Sequence, residues 1–358
     1  MDVALPPLKS PTDVLAVVPY LLGFTPERSV VVMGMRERHV VFQARCDLPA
    51  AEDVAAVTEH LAAVVGRQAV DAALLVAYGP GAESARTVDA LRQAIESRGI
   101  DVLDALRADE GRYWSYLCSR PECCPPAGTP YDPSATVVAA SATYAGLSPA
   151  ASRADLVTRL APADGVTRIA MRAASRRAEQ RLGDLVGAAA EAARDVVLPA
   201  GIAAVDAANA RIGSIAPLDD DAVAWLALLL LSVPVRDYAW ERVGHDVDGS
   251  VALWSDVVRR VDPELAAGPA TLLAYAAWRR GDGAIASIAL DRAMDADPTY
   301  SLARLLAEAI DHGIPPGPWL DVPVATEGVD RAAAVRQHRK RRRRARPQRQ
   351  VRVVPPAG

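Results

Sequence analysis

Phenylalanine occurs twice, histidine five times and cysteine four times in 358 residues, and aromatic side chains make up only 5% of the chain. Five scattered histidines leave few candidates for a histidine general base. Four cysteines in a chain of this length are not the dense disulfide framework of a small secreted domain. No G-x-S-x-G elbow, H-E-x-x-H helix, S-x-x-K motif or Walker lysine stands where hydrolysis or nucleotide binding needs it. Long apolar runs are also missing. The strongest, Ala222–Val233, falls short of the ~20 residues a bilayer span requires and reads as a buried helix. Met1–Ser10 lacks the basic-then-apolar pattern of a leader. These absences place the protein, as an expectation, in the cytoplasm and off the membrane.

What is present is a globular composition built on Ala, Val and Leu, 51% hydrophobic. Its length favours two domains plus an appendage. The net charge of −4 conceals a segregation. Residues 331–358 hold eleven basic side chains and no acid, which leaves the preceding 330 residues at −15.

The pattern along the chain divides it into three. Ser10-Pro11-x-Asp13 opens an apolar helix that Pro19 should kink and Gly23 should end. Ser29–Met33 and His39–Arg45 are β-branched runs and read as a hairpin. Helix, strand, helix and strand follow at Ala51–Val65, Ala72–Tyr78, Glu83–Arg98 and Ile100–Arg107. The expected fold of residues 1–148 is therefore an α/β domain with a mixed sheet of four to five strands and a cysteine-rich loop. Residues 149–320 read as an all-α domain, starting with a long helix over Val166–Leu198 that breaks at Gly183 or Gly187. Gly281-Asp282, Ala286, Ala293 and Asp297-Pro298 fit a tetratricopeptide-like helical pair, and Asp248-Gly249 echoes Asp282-Gly283 one unit earlier. An ordinary helical bundle fits the same spacing. Residues 321–358 read as a disordered Arg-rich tail.

Ser10-Pro11-x-Asp13-x-Leu15-Ala16-x-x-Pro19-Tyr20-Leu21-Leu22-Gly23-Phe24-x-Pro26-x-x-Ser29-Val30-Val31 is a long and specific motif. With it go Arg45-x-Asp47-Leu48-Pro49, Arg112-x-Trp114-Ser115-Tyr116-x-Cys118-x-x-x-x-Cys123-Cys124-Pro125-x-x-Gly128 and Arg236-Asp237. Together they resemble an actinobacterial family, the domain-of-unknown-function family numbered 4192, over roughly residues 8–320. The resemblance implies a bacterial intracellular protein and assigns no activity. Cys46 and the basic tail lie outside the family pattern.

Chemistry concentrates in the segment from Tyr113 to Gly128. Cys118, Cys123 and Cys124 can offer three thiolates to a metal ion, zinc being one that fits, with Cys46, Glu122 or His39 as a fourth ligand, while the residues leave the cofactor open. Cys118 can instead pair with Cys123 or Cys124 as a redox-sensitive clip. A third reading packs the thiols as small apolar groups against the neighbouring aromatics. Arg45, Asp47, Arg112, Trp114 and Tyr116 are candidates for a pocket that holds an anionic ligand, against the plainer reading of an Arg–Asp pair that fixes a strand end. Arg168, Arg172 and Arg176 make one helix face basic, which glutamates and aspartates on the same helix dilute. Arg339, Lys340, Arg341, Arg342, Arg343 and Arg344 would draw nucleic acid by charge without reading bases. The functional expectation is a non-catalytic interaction or regulatory protein with a protein partner. Its alternatives are a metal-binding, thiol-redox or small-molecule enzyme role for the cysteine loop, and nucleic-acid association through the tail.

Overall fold

A computed structural model describes residues 6–317 except 38, 190–192, 215 and 245. The tail expected over 321–358, with Arg339–Arg344, lies outside the described residues. The described residues fold as a mixed six-stranded sheet with helices on both faces, followed by an all-helical segment.

Helix α1 (Pro11–Leu22) begins as its sequence prescribes. Ser10 Oγ accepts the Asp13 N–H at 3.2 Å, Pro11 takes the first turn, and Gly23 ends the helix at φ +76°. The helix runs on through Pro19. Strands β1 (Ser29–Arg36) and β2 (His39–Asp47) form the expected hairpin. β1 also pairs antiparallel with β3 (Ala72–Tyr78), and β3 pairs in parallel with β4 (Asp101–Asp109). The parallel pair is joined through α3 (Gly81–Glu96), as a crossover requires. The sheet has six strands where four to five were expected, and two short ones lie beyond the four runs marked in the sequence. β5 (Arg112–Ser115) turns back on β4, and β6 (Thr129–Pro130) pairs with β5, so the sheet order is β2-β1-β3-β4-β5-β6.

Alternation along the central strands splits the core in two. Val30, Val32, Leu75 and Ala77 face α2 (Val54–Arg67) and α3. Val31, Met33, Leu74 and Val76 face α1 and belong to one apolar cluster that continues into the helical segment.

That segment holds α4 (Val137–Tyr144), α5 (Arg153–Arg159), α6 (Gly165–Ala189), α7 (Ala193–Asn209), α8 (Asp220–Leu229), α9 (Val233–Arg242), α10 (Val247–Arg260), α11 (Ala267–Arg280), α12 (Gly283–Ala296) and α13 (Ser301–Asp311). The break expected at Gly183 or Gly187 is not there. Both glycines are inside α6, where a glycine costs helix stability without ending the helix. α11 and α12 form a hairpin across Gly281, at φ +85°, and Asp282, whose carboxylate accepts the Ile285 N–H at 3.0 Å. The preceding pair is shifted from the expected echo. Asp246, not Asp248, caps α10, because the Gly249 N–H lies three residues on at 2.9 Å. Ala222–Val233 divides between α8 and α9, which lie 116° apart. No single helix among the described residues is long and apolar enough to cross a membrane.

Candidate functional site

The segment from Tyr116 to Gly128 leaves the sheet at the end of β5 and returns at β6, so pairing of these strands closes the loop at its base. Glu110 and Gly111, at φ +47° and +73°, form the tight turn that folds β5 onto β4. Three side chains of β5 then hold the loop. Arg112 donates to the carbonyls of Ala127 and Gly128 at 3.2 and 2.8 Å. The Trp114 indole N–H donates to the Pro126 carbonyl at 3.0 Å. Ser115 Oγ donates to Asp104 Oδ1 at 2.9 Å and accepts the N–H groups of Leu117 and Cys118, each at 3.2 Å.

Two glycines make room for this frame. Gly128 sits at φ +76° under the Trp114 ring, and a Cβ there would lie 2.5 Å from Trp114 Cε2. Gly81, at the start of α3, leaves space for the Arg107 guanidinium, which lies 3.6 Å above the Trp114 ring centre as a cation–π pair.

Inside the loop, the N–H groups of Cys123 and Cys124 turn onto the Arg120 carbonyl at 3.3 and 2.8 Å, and this turn brings their thiols back to Cys118. All three Sγ atoms lie within 4.8 Å of one another, and Cys118 and Cys123 approach to 3.1 Å. The thiols are unequal. Hydrogen bonds from Cys123 and Cys124, then from the Arg120 backbone, bring the Cys118 pKa down to about 7. The same bond pushes Cys124 up to about 12, since its proton serves the Cys118 sulfur. The cluster therefore carries its first negative charge on Cys118.

The fourth ligand expected from Cys46 or His39 is not at hand. Both lie on β2, at the other edge of the sheet from β5, and four strand spacings amount to about 19 Å. Cys46 packs toward α2 and α3, where burial pushes its thiol up to about 11. Glu122 shares the loop but is not within the sulfur cluster.

The proposed anion pocket is divided in the same way. Arg45 and Asp47 pair with each other at 2.5 Å on β2, with Arg45 also 5.8 Å from the Phe24 ring centre. Arg112, Trp114 and Tyr116 belong to the opposite edge, where the first two hold the cysteine loop. Tyr116 reaches toward the α2–α3 core, and its buried hydroxyl has no hydrogen-bond partner among the described residues. On α6, Arg177 pairs with Asp221 at 2.6 Å and Arg181 lies 4.1 Å from the Trp225 ring centre, so both serve packing against α8.

Asp104, Arg107 and Gly81 were not singled out from the sequence as supports of the loop. Their role depends on β5 lying beside β4, and no local pattern announces that pairing. Ser115 is a fixed position of the cysteine motif and Arg120 an unspecified one, and spacing alone does not tell a hinge residue from a ligand.

No curated protein and no solved structure matches this chain. The family model for the domain of unknown function DUF4192 matches residues 11–317, from the capped start of α1 through the thiol loop to six residues past α13, and the chain belongs to that family.

Proposed function

We propose that this is a non-catalytic regulatory protein of the cytoplasm whose three-thiol loop binds a thiophilic metal ion such as zinc. One observation carries the reading: three cysteine sulfurs, brought together by a turn within one loop, converge within 4.8 Å. Packing as small apolar groups does not account for them, because Cys123 is exposed and all three thiols engage one another. Zinc–thiolate bonds near 2.3 Å set tetrahedral sulfurs about 3.8 Å apart, so the Cys118–Cys123 pair opens by less than ~1 Å to receive the ion. Cys118 is the first ligand, since its thiolate forms at neutral pH. Cys123 and Cys124 lose their protons to the metal, which makes affinity rise with pH. The fourth position faces solvent or a partner.

The test is elemental analysis of untagged full-length protein, followed by cobalt substitution. About one metal per chain and a thiolate-to-cobalt charge-transfer band are expected. Both should be lost in Cys118→Ser and in Cys124→Ser. Absence of metal, with four thiols titrating freely under native conditions, would overturn the reading.

A second reading rests on the 3.1 Å Cys118–Cys123 approach. A disulfide needs about 2.05 Å, so closure by roughly 1 Å makes this pair the bond that forms under oxidant. Cytosolic reductants keep it open otherwise. Mass spectrometry after mild peroxide distinguishes the pairing. A Cys123–Cys124 or intermolecular bond in its place would dismiss this reading.

A further inference from the structure

Helix α6 buries one face and exposes the other. Met171, Ala174 and Ala178 belong to the apolar cluster of the helical segment. On the opposite side of the helix, Ile169, Arg172, Arg176, Gly183 and Gly187 recur at helical spacing, and all are exposed. The outer face begins with an apolar patch, since Val166 and Ile169, one turn apart, are 83% and 70% exposed.

The far end of the same face is made of gaps. Gly183 and Gly187 lie one turn apart inside the helix, and each costs about 1 kcal/mol relative to alanine. A Cβ at either would meet nothing within 4 Å among the described residues, so crowding inside the chain does not account for them. Close approach of a second backbone does. Charge changes along the face in the same sense. Arg172 and Arg176 occupy its first half, and the exposed acids Glu179 and Asp184 follow in its second. Knobs and bases therefore come first, gaps and acids last. Such a face is complementary to itself when one copy is reversed. An anionic lipid surface would instead call for one sign of charge throughout.

We propose that α6 packs antiparallel on α6 of a second copy of this chain, about a two-fold axis between residues 177 and 178. In that arrangement Ile169 faces Gly187 of the second copy, and the stem of Arg172 lies along Gly183 of the second copy. Arg176 reaches Glu179 of the second copy, and each contact occurs twice, as an isologous interface requires. The stretch from 169 to 187 gives a contact about 28 Å long. Its apolar ends supply affinity and its charges set the register, because exposed ion pairs add little to binding. This inference does not depend on the thiol centre.

Sedimentation equilibrium of the full-length protein under reducing conditions tests it, with a dimer expected at micromolar concentration. Arg176→Glu and Glu179→Arg each set like charges against one another across the axis and should raise the dimer Kd about tenfold or more. Mixed in equal amounts, these two variants should pair with each other, since a chain with acids at both positions meets one with bases at both. That recovery separates contact between chains from an effect within one helix, where residues three apart are also neighbours. Ile169→Asp, at an exposed position, should abolish the dimer and leave the circular dichroism of the monomer unchanged. A native chain that stays monomeric at its highest soluble concentration overturns the proposal. A dimer that Ile169→Asp leaves intact overturns it in favour of another face. Single charge variants that weaken the dimer but fail to recover on mixing overturn the antiparallel arrangement.

Discussion

Cys118 stands apart from the other thiols because its neighbours solvate its charge. Bonds from Cys123, Cys124 and the Arg120 backbone hold the thiolate, so its pKa is brought down to about 7, below that of an ordinary cysteine. A folded-state pKa that is lowered adds stability at alkaline pH, and that contribution is lost as pH falls through about 7. Cys124 has the opposite sign, and its contribution is present below the ordinary thiol pKa and disappears as pH rises through about 12. In metal-free protein, iodoacetamide at pH 7.5 should therefore modify Cys118 first, with a pH–rate midpoint near 7, while Cys46 stays inert through burial. Peptide mapping by mass spectrometry reads the order. First modification at Cys46 or Cys124 would contradict this account of the charge. Ser115 makes a second residue-scale test, since its hydroxyl joins Asp104 to two loop amides. Ser115→Ala should cost about 1–2 kcal/mol through unpaired polar groups. It should also weaken cobalt binding in the same chain, whereas a change in stability alone would leave Ser115 a merely structural residue.

At the scale of elements, the hairpin β1–β2, strand β3 and helices α1 and α12 were legible because each carries its own start and stop. Ser10, Gly23, Gly281 and Asp282 act through bonds to residues within a few positions, so sequence reports them directly. β5 was not legible. It is four residues long, and its turn places Glu110 at φ +47°, where Asn or Gly is the usual signal. The same short strand positions Arg112, Trp114 and Ser115, which is why the cysteines were visible in the sequence and their frame was not. Gly128 tests that frame as a unit. Gly128→Ala meets both a left-handed backbone and the Trp114 ring, at a combined cost of about 2–4 kcal/mol. Denaturant unfolding should show that loss, with the cysteine loop becoming the first site of proteolysis. A variant within 0.5 kcal/mol of the parent would mean that the tryptophan lid is not what fixes the loop. Asp282→Ala, by contrast, removes a helix cap and a surface pair with Arg280, both far from the thiols. It should cost about 1 kcal/mol and leave cobalt binding as it was.

For the molecule as a whole, the decisive contact is between parts nearly 250 residues apart, which no local pattern can reveal. The last turn of α13 leaves carbonyls that its own helix cannot pair, and α2 supplies their donors. Gln68 Nε2 reaches the Gly313 carbonyl at 2.7 Å, Arg67 Nε the His312 carbonyl at 2.8 Å, and His60 Nε2 lies 3.1 Å from the Asp311 carbonyl. Gly313 sits at φ +64°, and a Cβ there would lie 2.6 Å from Val64 Cγ1. This clasp joins the α2 side of the sheet to the end of the helical segment. Gln68→Ala removes the amide that serves the Gly313 and Val64 carbonyls and should cost about 1 kcal/mol. Gly313→Ala should cost about 2–3 kcal/mol, because backbone strain and overlap with Val64 act together. The two act on one contact, so the double variant should fall short of their sum. Urea unfolding of the four proteins measures the shortfall. Strict additivity would show that α2 and α13 are held by independent means, and the clasp would then not be the device that couples the sheet to the helices.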